Sequence, residues 1–110
     1  MRAFLIALLL CLPLSAAHAF NASHYGHGDG YFGKRTACGN IHRPGLTVAH
    51  RNLPCGTKVR LTNTANGLSA IYTVTDRGPF VRGRVWDLNS VGKDAIGLGD
   101  LGNVKAEIIR

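Results

Sequence analysis

Polar and apolar side chains alternate in two neighbouring segments of this chain. From Thr57 to Thr62, Val59 and Leu61 alternate with basic residues, which is the period of a β-strand with one buried face. Leu68 to Thr75 is rich in β-branched and aromatic residues, and Asn66-Gly67 before it is the sequence typical of a type I′ turn. The two segments are therefore predicted to pair as a hairpin.

The rest of the chain contains shorter elements. Residues 21–33 are expected to form a loop or a first irregular strand, 85–88 a short apolar segment and 104–109 a last strand. Asn89 or Ser90 is expected to cap a short helix that Gly97 ends. Several short strands, one short helix and 14 glycines predict a mainly β protein. A small closed barrel is the natural form, because closure leaves no unpaired strand edge.

The first 19 residues have the pattern of a secretory signal peptide. Arg2 precedes an apolar run, and Ala17-His18-Ala19 matches the A-x-A cleavage pattern, so cleavage is expected after Ala19. The apolar run is too short for stable membrane insertion. A lipid anchor on Cys11 is not expected, because leucines stand where a lipobox has small residues. The predicted domain is 20–110, exported to a periplasm or secreted.

The remaining cysteines and the net charge narrow the function further. Cys38 and Cys55 predict one disulfide in an oxidising compartment, with a metal pair or a reactive thiol as alternatives. Such a crosslink would contribute about 3 kcal/mol to the free energy of unfolding. The formal charge of +7 favours anionic partners; the alternative is that the charge only keeps the protein soluble. Export and the absence of an aromatic RNA-binding motif argue against nucleic acid. A monomer is expected.

Two carboxyl groups and a histidine supply the candidate chemistry. Asp76 ends the second predicted strand just before a Gly-Pro turn, where a rigid scaffold can present a working side chain. His50 upstream and Asp87 downstream complete a set able to perform acid–base chemistry on a sugar bond. Each has a structural alternative: a turn cap for Asp76, burial for His50 and a place beside the helix start for Asp87. His24 and His27 lack a third ligand at suitable spacing, so neither a metal nor a cofactor is expected.

Motifs spread over residues 20–110 resemble those of RlpA-like (rare lipoprotein A) double-psi β-barrel domains and, more distantly, the barrel domain of expansins. The matching segments are ASHYG (22–26), TACG (36–39), LTVAHRNLP (46–54), GTKVRLTN (56–63), NG (66–67), DRGPFVRGR (76–84) and DL (87–88). Their order and spacing together are specific. The resemblance implies a small six-stranded double-psi β-barrel with one short helix.

The resemblance also implies an activity. Similar proteins are lytic transglycosylases that act on peptidoglycan glycan strands. They cleave between N-acetylmuramic acid and N-acetylglucosamine and leave a 1,6-anhydro end. Asp76 and His50 match positions that the family uses for activity, and Asp87 aligns with a carboxylate that matters in expansin-like barrels. The family's glutamate is replaced by Asn40, which can donate a hydrogen bond to substrate but cannot take a proton.

Further substrate-binding candidates complete the expected site. Tyr25 is a candidate for stacking on a sugar ring, and Tyr31 is a second one, whereas Trp86 is expected to pack in the core. Arg77 and the basic residues after it are candidates for contact with N-acetyl or lactyl groups. His42 is expected near Asn40, in the region of the missing glutamate.

Three functions are compatible with these residues. The first is an exported lytic transglycosylase with Asp76 as its acid and base. The second is a non-catalytic, expansin-like module that binds or loosens the wall, which Asn40 favours. The third is an effector or inhibitor resembling barwin-type barrels, which would bind a protein tightly and tolerate Asp76→Asn.

Overall fold

The computed structural model describes residues 20–26 and 28–110. The predicted signal peptide with Cys11, and also His27, lie outside the described residues. The described part contains six strands and one 3-10 helix. The strands are β1 (Ala22–Tyr25), β2 (Thr47–Ala49), β3 (Lys58–Asn63), β4 (Ser69–Asp76), β5 (Trp86–Asn89) and β6 (Val104–Ile109), and the 3-10 helix is Gly92–Ile96. The mainly β fold class with one short helix is therefore confirmed.

All six strands belong to one sheet, in the order β1-β5-β2-β4-β3-β6. The β1–β5 and β2–β4 pairs are parallel, and the other neighbours are antiparallel. The outer strand β1 meets the segment just before the other outer strand, β6, where Ala22 bridges Gly102. Beside this bridge, the Asn21 carboxamide donates to the Val104 carbonyl and accepts from the Val104 N–H, both at 2.9 Å. The Asn21 side chain thus replaces backbone pairing and closes the sheet into a barrel.

The interior is formed by the side chains that the alternation pattern places on one face. Val59 and Leu61 of β3 are fully buried, as predicted, and so are Tyr72 and Val74 of β4. The Tyr72 hydroxyl donates to the Gly92 carbonyl at 2.8 Å, which ties β4 to the 3-10 helix. Burial of Tyr72 raises its pKa to about 12. Within the described ranges, no helix is long and apolar enough to cross a membrane.

The β3–β4 hairpin is confirmed, but the predicted type I′ turn is wrong. That turn needs a positive φ at both central residues, and of the pair only Gly67 has one, at 79°. Asn63 instead pairs with Leu68, and its carbonyl accepts from the N–H groups of Asn66 and Gly67. The buried Asn63 side chain also accepts from the Ala65 N–H at 3.0 Å. Local bonds from Asn63 therefore favour a longer loop over the two-residue turn.

The short helix begins and ends close to the predicted residues. The Asn89 side chain accepts from the N–H groups of Val91 at 3.0 Å and Gly92 at 3.3 Å. Gly97 follows the helix with a φ of 63°, the left-handed conformation that glycine adopts easily. Asn89, and not Ser90, is therefore the residue whose side chain satisfies the first N–H groups.

Candidate active site

The barrel topology brings Asp76 and Asp87 to the same level on either side of β2. Ala49 of β2 is the register partner of Asp76 in β4 and also of Asp87 in β5. Neighbouring strands lie about 4.8 Å apart, so the two aspartate backbones are separated by roughly 10 Å. Ala49, Asp76 and Asp87 all line the same cavity. The register therefore presents two carboxyl groups to one cavity.

A pairing irregularity at the end of β4 determines which way Asp76 points. Val74 pairs with Val48, but the next pair joins Ala49 to Asp76, so Thr75 has no partner in β2. Successive strand residues point to opposite faces, and one extra residue therefore changes the face of the next. Val74 points into the core, whereas Asp76 shares the face of Ala49. Without this irregularity, the carboxyl group would point into the apolar interior.

Three hydrogen-bond donors surround the Asp76 carboxylate. Oδ1 accepts from the backbone N–H groups of Ala37 and Arg77, both at 2.9 Å. Oδ2 accepts from the Tyr25 hydroxyl, also at 2.9 Å. These donors come from β1, from the loop before β2 and from Asp76's own turn. Together they hold the carboxylate in one orientation at the cavity wall.

Asp87 has a different environment. Its Oδ1 accepts one hydrogen bond, from the Ser23 hydroxyl at 3.1 Å. Burial raises the pKa of Asp87, and the nearby Asp29 and Asp76 charges act in the same direction, against the opposing effects of Ser23 and His24. Asp87 therefore keeps its proton to a higher pH than an ordinary aspartate does.

Tyr25 connects the wall of the cavity to Asp76. Burial raises the pKa of Tyr25 far above its usual range, and the charge of Asp76 adds to the effect. The hydroxyl therefore remains a proton-bearing donor. The Tyr25 ring stacks on His42, with centroids 4.5 Å apart, and His42 also stacks on Phe32 at 4.8 Å. This packing fixes the direction from which the hydroxyl reaches Asp76.

The two aspartates line a cavity of about 280 Å³. Its walls come from β1, from the ends of β2 and β4, from β5 and from two loops. The lining residues are Ser23, His24, Tyr25, Tyr31, Ala49, Asp76, Asp87 and the run from Arg77 to Val81. The expected site residues Asp76, Asp87, Tyr25 and Arg77 are thus brought together.

Arg77 also fixes the neighbouring loop. One guanidinium nitrogen donates to the His50 carbonyl at 3.1 Å and to the Leu53 carbonyl at 2.6 Å, and the other nitrogen contacts Cys55 Sγ at 3.5 Å. The disulfide between Cys38 and Cys55 joins this loop to the segment that contains Ala37. The predicted disulfide is therefore confirmed, and it links two loops that position donors around Asp76.

The His50 ring lies outside this set of contacts. Its Nδ1 accepts from the N–H groups of Asn52 at 3.2 Å and Leu53 at 3.1 Å, so the proton of the neutral ring is on Nε2. The ring packs on Trp86 with centroids 4.6 Å apart. Burial lowers the pKa of His50, and the charges of Arg51 and Arg77 lower it further. The cavity lining does not include His50. Its expected catalytic role stays a prediction.

Asn40 lies in a separate depression. That depression has a volume of about 200 Å³ and is lined by residues 40–45 with Thr47 and Thr75. The structure therefore does not bring Asn40 into the cavity with the two aspartates. Sequence reasoning missed Ser23 and the Ala37 N–H as partners of the aspartates. Both residues lie in matching segments, Ser23 in ASHYG and Ala37 in TACG, but nothing in the sequence shows that these groups donate to the aspartates. Among the described residues, no group of three His, Cys, Asp or Glu is arranged to hold a metal ion.

The known proteins that this chain resembles share one kind of description. Residues 17–108 match the family described as lytic transglycolase. A Nostoc protein named probable endolytic peptidoglycan transglycosylase RlpA is 51% identical over 78 residues, which are 70% of this chain and 21% of the relative. A Rickettsia felis protein named endolytic peptidoglycan transglycosylase RlpA is 40% identical over 89 residues, 79% of this chain and 39% of that protein. The chain therefore spans between about a fifth and two fifths of these relatives.

A solved structure supports the fold independently. The crystal structure of apo expansin from Clavibacter michiganensis superposes with a TM-score of 0.62 at 21% identity. The match covers 84% of this chain and 50% of the expansin chain. At this identity the likeness concerns the fold alone.

Proposed function

Because this chain belongs to the lytic transglycolase family and has its double-psi β-barrel fold, we propose that it is a lytic transglycosylase that cleaves peptidoglycan glycan strands. The observation that carries the proposal is the pair Asp76 and Asp87, which line one cavity on either side of Ala49. The names of the relatives point to the same reaction and the same substrate.

The reaction requires one proton donor and one proton acceptor. The C6 hydroxyl of N-acetylmuramic acid attacks C1 of the same sugar, and the bond between C1 and the glycosidic oxygen breaks. The hydroxyl loses its proton as the new O6–C1 bond forms, and the departing N-acetylglucosamine oxygen gains one. No water is consumed, because the nucleophile belongs to the substrate. One carboxyl group that gives a proton and one that takes a proton meet this requirement.

The contacts of the two aspartates suggest their roles. Asp87 is the proposed donor, because it lines the cavity and because burial and the nearby Asp29 and Asp76 charges raise its pKa, which favours the protonated form. Asp76, surrounded by three hydrogen-bond donors, is the proposed acceptor for the C6 hydroxyl proton. As a carboxylate it also stabilises positive charge that develops at C1. This assignment divides the work that the sequence assigned to Asp76 alone.

The other expected site residues receive supporting roles. His50 is proposed to hold the loop through which Arg77 anchors the Asp76 turn, since its Nδ1 binds two backbone N–H groups of that loop. Two aspartates also make a carboxyl group at position 40 dispensable, so Asn40 is compatible with catalysis. The disulfide and the basic charge fit a protein exported to the cell envelope, where this substrate lies.

Product analysis tests the proposal. The purified protein with its disulfide intact is incubated with peptide-free glycan strands, alongside Asp76→Asn and Asp87→Asn. Mass spectrometry should find fragments one water lighter than hydrolysis products for the wild type and none for the variants. Ordinary reducing ends would make the protein a hydrolase. Binding without cleavage would favour the expansin-like alternative.

A further inference from the structure

The loop between β4 and β5 presents large apolar side chains to solvent at the edge of the active-site cavity. Phe80 is 78% exposed, more than any other large apolar residue in the described part of the chain. Val81, at 59%, and Tyr31, at 53%, line the same cavity and are exposed as well. Exposed apolar side chains grouped at one rim commonly mark a binding surface. Nothing in the acid–base chemistry of the two aspartates requires them.

The backbone beneath Phe80 is fixed although its side chain is exposed. One Arg51 guanidinium nitrogen donates to the carbonyls of Pro79 and Arg84, both at 2.9 Å, and so joins the two ends of the loop. Gly78 and Pro79 are buried. A Cβ at Gly78 would lie 3.5 Å from the Phe80 ring, so the ring packs over this glycine. A ring held in this way can bind a ligand with little loss of conformational entropy.

Tyr31 is connected to the catalytic groups. Its ring meets Tyr25 edge to face, with centroids 5.7 Å apart, and its backbone N–H donates to Asp29 Oδ1 at 3.1 Å. Tyr25 in turn donates to Asp76. Tyr31 is therefore linked through Tyr25 to the carboxylate wall of the cavity that Phe80 also lines.

The combination of these walls matches one class of ligand. A pyranose ring has an apolar face of C–H groups and an edge of hydroxyl groups. Phenyl and phenol rings can pack on the C–H face, and carboxyl groups can donate hydrogen bonds to the hydroxyl edge or accept them from it. We propose that Phe80 and Tyr31 form a stacking platform for a sugar ring of the glycan strand, next to the bond that the aspartates act on. This inference rests on the proposed function, because it assigns the glycan as the ligand of that cavity.

Binding of peptide-free glycan strands to Phe80 variants tests the platform. Phe80→Ala should weaken binding and raise KM roughly tenfold, because a ring stacked on its partner adds to simple apolar contact. Phe80→Leu keeps much of the apolar area without a ring and should show nearly the same loss. Phe80→Trp should bind at least as well as wild type. Melting temperatures should be unchanged, since the side chain is exposed.

Leu68→Ala is the matched control, because Leu68 is 51% exposed in the β3–β4 loop and does not line the cavity. It should bind glycan as the wild type does. Wild-type affinity in Phe80→Ala, or full rescue by Phe80→Leu, would overturn the platform. The platform would also be overturned if Phe80→Ala kept wild-type glycan binding but lost binding to anionic phospholipid vesicles. If the wild type binds but does not cleave, the proposed function fails, and the Phe80 variants still report on the platform.

Discussion

Removal of the Tyr25 hydroxyl tests whether the orientation of Asp76 matters for catalysis. Tyr25→Phe deletes the 2.9 Å bond to Oδ2 and leaves the two backbone donors on Oδ1. The ring keeps its stacking contact with His42, because that contact involves only the aromatic face. The perturbation is therefore confined to one donor of one catalytic group.

The expected magnitude follows from the charge of the acceptor. A hydrogen bond to a charged group contributes about 1.5–3 kcal/mol. If the bond is needed in the transition state, its loss lowers kcat by roughly 10- to 100-fold, at about 1.4 kcal/mol for each factor of ten. KM should change little, because the hydroxyl is occupied by Asp76 rather than by substrate. The free energy of unfolding should fall by about 1 kcal/mol, since water can reach the half-buried carboxylate.

Tyr72→Phe provides a control with the same chemical change. The Tyr72 hydroxyl donates to the Gly92 carbonyl in the core, away from the cavity. Its removal should lower the free energy of unfolding by a similar or larger amount and leave kcat unchanged. Initial rates of glycan cleavage and thermal melts are measured for both variants. Wild-type kcat in Tyr25→Phe, or an equal loss of kcat in Tyr72→Phe, would refute the role of the hydroxyl.

Two further predictions concern the disulfide and Asp87. Replacing Cys38 and Cys55 together by serine opens a crosslink of sequence separation 17. Calorimetry should show about 3 kcal/mol less stability and a melting temperature lower by roughly 10–20 °C; a shift below about 5 °C would contradict the prediction. The folded-state pKa of Asp87 is raised, so wild-type stability should fall as pH rises from the ordinary aspartate pKa through the raised one. Asp87→Asn should remove this fall in denaturant titrations across pH and abolish cleavage; an unchanged pH dependence of stability in the variant would contradict the assignment.

The sequence predicts those parts of the fold that depend on local pattern. The β3–β4 hairpin follows from the alternation at Val59 and Leu61, and the end of the helix follows from Gly97. Strand β2 is only three residues long and shows no alternation, so no pattern in the sequence predicts it. Asn66-Gly67 predicts the wrong turn, because the turn preference of an Asn-Gly pair takes no account of the local hydrogen bonds that Asn63 forms.

The site was predictable only as a set of candidates. The place of Asp76 at the end of a strand marks it as a candidate, but two of its three donors are far away in the chain. Tyr25 is 51 positions from Asp76 and Ala37 is 39 positions away, so only the barrel topology brings them together. The common register of Asp76 and Asp87 with Ala49 likewise depends on the unpaired Thr75, which no sequence pattern indicates.

The most direct test of the central claim is cleavage of peptide-free glycan strands in oxygen-labelled water. If Asp76 and Asp87 direct the substrate's own C6 hydroxyl to C1, mass spectrometry should find the new ends free of label in the wild type. Asp76→Asn should give no new ends. Labelled reducing ends would show that water is the nucleophile and would contradict the proposed mechanism.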